Sequence, residues 1–190
     1  GRIIDLFLDQ YSRPTIHAIE PIPWAAAKLR EKFGQDDRVV IHELALGADS
    51  SMISLNILRR QSSSSLLDPT DINFHYHESE MNLVRQCQVK QERLDKLFDE
   101  DIDLLKLDLQ GYELEALNGT GNLIEGIKCI TVEVEFVPLF AGQPLFADID
   151  SFLRSQGFRL FNLYELWTHP DGQLTAGDAV YLNSRYFSEF

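Results

Sequence analysis

Asp108 is the residue whose position most invites chemistry. It closes the apolar run Leu104-Leu105-Lys106-Leu107, and Gly111 follows it. A carboxylate there can orient an ammonium group, bind a cation or take a proton. It can equally cap the helix that begins near residue 112, as can Gln110. Gly111 permits close backbone approach or a positive φ. Lys106 alternates with Leu105 and Leu107, and a structural ion pair is its plainest role. Glu133 and Glu135 alternate with Val132, Val134 and Phe136, so they share one strand face. Two acids on a buried strand are costly unless paired or at its wet end, which favours Glu135; a solvated face is the alternative. Glu20 ends the segment Thr15-Ile16-His17-Ala18-Ile19-Glu20. Its two oxygens can accept a pair of ribose hydroxyls, or it is a solvated strand end. His75 and His77 lack a clear third ligand, so they are read as part of a solvated loop and no metal is expected.

Elements must bring these residues together. Residues 2–10 read as a short helix with Ile3, Leu6 and Phe7 on one face. Residues 15–20 read as a strand. Pro23 suits the first turn of an Ala-rich helix that is basic at its end and closed by Gly34. Further strands are expected over 38–46, closed by a turn at Gly47, over 51–58, at the start of 87–100 leading into a short helix, and over 102–109 and 127–136, with helices near 112–117, 120–125 and 145–157. Phe146, Ile149, Phe152 and Leu153 share a face of the last of these. Residues 158–166 and 178–183 read as a strand pair around the turn Pro170-Asp171-Gly172. The polar stretch 59–85, with serines at 62–65, reads as a mobile loop. Strands separated by helices predict an α/β, doubly wound, mostly parallel sheet, and the terminal pair predicts one antiparallel strand near the C-terminus. In such sheets ligands bind beyond the carboxyl ends of the strands, where Asp108 sits.

The 190 residues suggest a single domain over 1–190, and 44% apolar content is enough for a core. A net charge of -13 argues against non-specific binding to nucleic acid or an anionic membrane. No apolar run reaches the roughly 18 residues of a membrane helix. Cys87 and Cys129 are read as free thiols, which favours a reducing compartment and a cytoplasmic location. There is no G-x-S-x-G elbow, no phosphate loop of the form GxxxxGK[ST] and no GxGxxG.

Several stretches, in order, resemble the FkbM-type family of S-adenosylmethionine-dependent methyltransferases: HAIEPIP, LALG, SSSSLL, IDLLKLDLQGYELEALNG, VEVEFVPLFAGQPLF and DIDSFLRSQGFRL. The resemblance implies a Rossmann-like class I methyltransferase sheet whose last strand is antiparallel and inserted beside its neighbour. It implies S-adenosylmethionine as cofactor and a small-molecule acceptor, such as a sugar or polyketide, methylated on a hydroxyl. Gly1 then matches the final glycine of the cofactor-cradling turn, and the first strand is expected upstream of it. Glu20 matches the acid that holds the cofactor ribose, with Pro21 and Ile22 near the adenine. Glu43, Leu44, Ala45 and Leu46 match the segment beside the adenine ring. Asp108 matches the strand-end acid between cofactor and acceptor and is the expected base, with Glu135 as substitute. Gln110 stands where relatives often have Glu, which puts a second carboxylate role there in doubt. Phe136, Phe140 and Phe146 are candidates to cover the acceptor. A nucleotide-dependent oxidoreductase and a non-catalytic binding domain stay open as alternatives.

Overall fold

A computed structural model describes residues 1–77 and 81–187. The chain begins with α1 (Arg2–Gln10), β1 (Ile16–Ile19), α2 (Pro23–Phe33) and β2 (Val39–His42). Next come β3 (Ala45–Leu46), β4 (Ser51–Leu58), α3 (Asp71–His77), β5 (Leu83–Glu92) and α4 (Leu94–Leu97). Then follow β6 (Ile102–Leu107), α5 (Glu113–Asn118), β7 (Ile127–Glu135), α6 (Phe146–Ser155), β8 (Phe158–Thr168) and β9 (Leu174–Asn183).

Local chemistry accounts for most boundaries. Pro23 opens α2, and Arg30 and Lys32 sit in its last turn, where cations oppose the negative end of the helix dipole. Asp148 accepts the Leu145 amide at the start of α6, and Ile149 and Leu153, four apart, are buried. Phe146 and Phe152 pack on the same core, so the expected face is the buried one. α1 differs. It buries Ile4, while Ile3 and Leu6 stand exposed and Leu8 packs with Phe33 and Val39. The residues around α1 contact its other side, so apolar spacing alone pointed to the wrong face.

Among the described residues the strands form three hydrogen-bonded sheets, ordered β1-β2, β3-β5-β4 and β6-β7-β9-β8. β1–β2, β3–β5 and β6–β7 are parallel; β4–β5, β7–β9 and β8–β9 are antiparallel. The α/β class is therefore present, but the sheets are mixed rather than mostly parallel. The cause is chain direction. β4 and β5 are neighbours that run in opposite directions. The tight turn after β8 likewise reverses β9, which lies between β7 and β8. The antiparallel strand expected near the C-terminus is thus β9.

The largest core cluster is built by Leu105 and Leu107 of β6, Ile130, Val132 and Val134 of β7, Ala179 and Tyr181 of β9, and Leu117, Ile149 and Leu153 of the helices. β9 alternates buried and half-buried positions along its length, as a strand with one packed face must. The expected helix at 120–125 is a 3₁₀ segment, Gly121–Gly126.

The stretch expected to be a mobile loop is structured over much of its length. It holds a 3₁₀ turn, Gln61–Ser63, and α3. Ser63 and Ser65 are buried, and Ser65 bridges to Asn56 of β4. Small hydroxyl side chains suit that role, because they bond nearby backbone while fitting into a core. Cys87 and Cys129 are free. Among the described residues no helix is long and apolar enough to cross a membrane.

Candidate active site

The carboxyl end of β6 leads straight into the site. Asp108 follows β6 and is exposed. The chain then turns sharply: Gln110 has φ 55° and Gly111 φ 96°. A side chain at 111 would be strained by that φ, and a Cβ there would lie 3.1 Å from the Gln143 Cβ. Gln110 adopts the left-handed region without being glycine, a cost of the kind that concentrates at functional sites. Two groups hold it there. Ser65 Oγ donates to the Gln110 carbonyl at 2.7 Å, and the Gln110 Nε2 donates to Asp108 at 3.0 Å and Glu133 at 2.6 Å. The amide sits between the two carboxyl groups and donates to both, which an ionised glutamate could not do.

Neither Asp108 nor Gln110 caps α5, whose N-cap residue Tyr112 makes no side-chain cap bond; the turn before it is held instead from inside the helix. Glu113, 1% exposed in the first turn of α5, accepts the Leu109 amide at 2.7 Å and the Gly111 amide at 3.3 Å. Burial pushes its carboxyl up to about 7, against the opposing pull of those amides, and the charge of Asp108 adds to the rise. The signal for this role was an acid just after the glycine turn.

Glu133 and Glu135 come from β7 and line a cavity of about 250 Å³ together with Asp108 and Gln110. β9 supplies Thr175, Ala176, Gly177 and Asp178, and β8 supplies Glu165 and Trp167. Asn73 of α3, Ser62, Ser63 and Phe140 close it from the segments outside that sheet. The pairing register sets the wall: Glu133 faces Asp178 across the β7–β9 ladder and Glu135 faces Ala176. Lys106 pairs with Asp178 at 3.3 Å, so its structural ion pair forms on the cavity lining.

Burial dominates the electrostatics. It pushes Glu133 up to about 10, with the charges of Asp108, Glu135 and Glu113 adding to the rise. Glu135, 3% exposed, is raised well above the ordinary carboxylate range, first by burial and then by Glu113 and Asp108. Acids that cannot all ionise side by side form a site that an incoming cation stabilises strongly. Among the described residues no group of three or more His, Cys, Asp or Glu has a metal-holding arrangement. His75 lies in α3 with its ring near Tyr76 and His169, rather than in a loop, and the His77 side chain lies outside the described residues.

The other expected site residues gather elsewhere. Glu20 follows β1 and Glu43 follows β2, and because those strands are parallel and in register their carboxyl ends are neighbours. Glu20 Oε1 accepts the Ile22 amide at 2.9 Å, and burial raises its carboxyl. Pro21 is half-buried; Ile22, Leu44 and Ala45 are buried in apolar clusters. Glu43 pairs with Arg30 at 2.5 Å. Gly1 is exposed at the start of α1, beside Phe33 and Leu29. None of these residues lines the carboxylate cavity. Of the three phenylalanines, Phe140 lines it, while Phe136 and Phe146 stack on each other at 5.3 Å and pack on the core. Trp167, Asn73 and Asp178 reach the cavity from segments that carry no motif of their own.

A family model described as Methyltransferase FkbM domain matches residues 5–160. The chain belongs to the FkbM methyltransferase family. It is 29% identical over 159 residues to the 2-O-methyltransferase NoeI of Sinorhizobium fredii (strain NBRC 101917 / NGR234). That match takes in 76% of this chain and 63% of the relative. In fold it is similar to the crystal structure of methyltransferase FkbM from Methylobacillus flagellatus KT, with a TM-score of 0.55 at 14% identity. There the likeness covers 95% of this FkbM chain and 39% of the solved one. The chain thus spans under two thirds of the length of both relatives.

Proposed function

We propose that this FkbM protein is an S-adenosylmethionine-dependent O-methyltransferase acting on a hydroxyl of a small-molecule acceptor. The observation that carries the reading is the convergence of Asp108, Glu133 and Glu135 on one cavity at the carboxyl end of a parallel strand pair, in a chain of a methyltransferase family. The residues present suit a cationic cofactor. Raised, mutually repelling carboxyls favour a positive charge nearby. Glu20 keeps one oxygen on the Ile22 amide and has the other to offer a ribose hydroxyl. Pro21, Ile22, Glu43, Leu44 and Ala45 would lie on the adenine side of a bound cofactor, and Gly1 at the turn toward the rest of it. When bound, S-adenosylmethionine supplies an electrophilic methyl group.

The chain's own residues do the rest. Phe140 and the backbone of β9 wall the acceptor on one side, and the carboxyls orient its hydroxyl. Alignment alone can contribute up to roughly 7–11 kcal/mol toward such a displacement. A base role for Asp108 requires partial burial to strengthen an aspartate, and Asp108 lines the cavity exposed, so it would take the hydroxyl proton only once a bound acceptor covers it. Glu135, held neutral by burial, would substitute as base only where a cation beside it favoured its ionised form. A general base contributes about 10²–10⁴-fold. Asp108→Asn in the full-length protein therefore lowers kcat by that order, with cofactor affinity by titration calorimetry unchanged. Unchanged turnover removes the base role from Asp108, and a loss confined to cofactor affinity makes it a cofactor-positioning residue instead. Absence of any S-adenosylmethionine or S-adenosylhomocysteine binding to the full-length protein rejects the methyltransferase reading in favour of a non-catalytic domain.

A further inference from the structure

The turn after β6 holds two successive left-handed residues, Gln110 at φ 55° and Gly111 at φ 96°. Backbone of that kind persists only where its surroundings hold it. Ser65 holds the Gln110 carbonyl from one side. Glu113 holds the other side. Its Oε1 accepts the Leu109 amide at 2.7 Å and the Gly111 amide at 3.3 Å, so the amides of the two residues that flank Gln110 converge on one oxygen. A third amide, that of Glu113 itself, bonds to the same carboxyl group. A neutral side chain could do this much, since Asn or Ser satisfies free amides at a helix start without burying a charge. Glu113 is 1% exposed, and among the described residues no Lys or Arg pairs with it. The charged groups that face it are acids: Asp108 at the head of the turn, and Glu133 and Glu135 on β7. A carboxyl buried among acids is costly to ionise, so its presence needs a reason beyond the count of bonds. The reason lies in their strength: an ionised acceptor binds an amide roughly twice as strongly as a neutral one.

We propose that Glu113 is a positioning residue: its ionised carboxylate clamps the Leu109 and Gly111 amides and so fixes where Asp108 and the Gln110 side chain enter the cavity, and protonating it slackens the turn. The inference rests on the methyltransferase reading above and adds to that site a control through its backbone. Glu113 does not line the cavity, so it acts on the site only through the turn. Burial, with the charge of Asp108, raises its carboxyl, the three amides lower it, and the balance lies at about 7. The clamp is therefore poised between its two states near neutral pH. A positive charge in the cavity favours the ionised form, so arrival of a cationic cofactor and tightening of the turn go together, with the Glu113 proton released to solvent.

The test uses the isotope-labelled full-length protein and Glu113→Gln, which keeps the shape and one acceptor oxygen and loses the charge. The Leu109 and Gly111 amides and the Gln110 side-chain amide, which reports the bonds to Asp108 and Glu133, are followed by NMR from about pH 5 to about pH 9. In the cofactor-free parent all three signals are expected to move together with a midpoint of about 7, the two backbone amides downfield as pH rises. In Glu113→Gln that transition is absent, and hydrogen exchange of the two backbone amides, corrected for pH, is about tenfold faster at high pH. With S-adenosylmethionine bound the parent's midpoint falls, and it falls less with S-adenosylhomocysteine, whose sulfur is uncharged. Backbone signals that do not titrate in the parent, or that titrate equally in Glu113→Gln, overturn the inference, and the first of these needs no variant to fold. A Gln110 side chain that stays still while the backbone amides move reduces Glu113 to a structural clamp and overturns it too, as does a midpoint unmoved by bound S-adenosylmethionine. If calorimetry shows no S-adenosylmethionine binding to the parent, the methyltransferase reading fails and takes the role of Glu113 in the reaction with it; binding with a flat amide titration fails Glu113 alone.

Discussion

At the scale of single residues the site is organised by Gln110. Its amide donates to both Asp108 and Glu133, and Ser65 donates to its backbone carbonyl in the left-handed turn. Gln110→Glu replaces that donor by a carboxylate next to Asp108 and Glu133. The substitution is expected to cost about 1 kcal/mol at pH 7.5, because Gln110 is only half-buried and solvent screens part of the repulsion. Urea unfolding measures it, and the cost should shrink at pH 5, where the added acid protonates more readily. Asp108 was readable from sequence because an apolar strand ending on a charge is a local pattern. The role of Glu113 was not, since a helix residue reaching back to Leu109 and Gly111 looks in sequence like any other acid in a first turn.

At the scale of elements, the contact between the end of β3 and the end of α5 sets where the site loop can lie. A Cβ on Gly119 would stand 2.1 Å from the Gly47 carbonyl oxygen, and Asp95 donates its amide to the Gly119 carbonyl at 3.1 Å. The Gly119 backbone is ordinary helix, φ -72°, so the requirement is space rather than backbone freedom. Gly119→Ala is expected to lower stability by about 2 kcal/mol through overpacking and to shift α5 away from β3. Thermal unfolding reads the first effect and a crystal structure of the variant the second. Strand and helix positions were legible because periods of 2 and 3.6 are local; the pairing of β4 with β5 was not, because it depends on how residues 59–82 return. The buried face of α1 failed for the same reason: several apolar residues compete, and the neighbours decide which is covered.

At the scale of the molecule, buried acids and half-exposed histidines pull stability in opposite directions with pH. Glu113, raised to about 7, Glu133, raised to about 10, and Glu135 stay protonated in the folded state after they ionise in the unfolded one. Their contribution is complete below about pH 4.5 and is lost as pH rises through the folded values. His17 and His42 share a 3.0 Å contact, and burial lowers both, with His17 further lowering His42 and Glu100 opposing the shift at His17. Their contribution is present above about pH 6.5 and fades as pH falls. The acids are the more deeply buried, so they set the trend. Tm is expected to fall between pH 6 and pH 9, and Glu133→Gln should flatten that slope because the amide stays neutral. A Tm that climbs steadily to pH 9 contradicts the electrostatics of the cavity.

The sequence by itself determined the α/β class, the order of most elements outside residues 59–85 and the placement of Asp108, Glu133 and Glu135 on strand ends or faces, because each follows from spacing along a few residues. It also carried the family, through motifs that keep their order along most of the chain. Only the tertiary structure decided that those acids meet Asn73, Trp167 and Asp178 around one cavity, that the serine segment is tied to the Gln110 turn, and that Glu20 and Glu43 lie at a different set of strand ends. The physical reason is range. Burial and repulsion act between side chains far apart in sequence, and which of them meet is fixed by register and chain reversal, quantities that no local pattern contains.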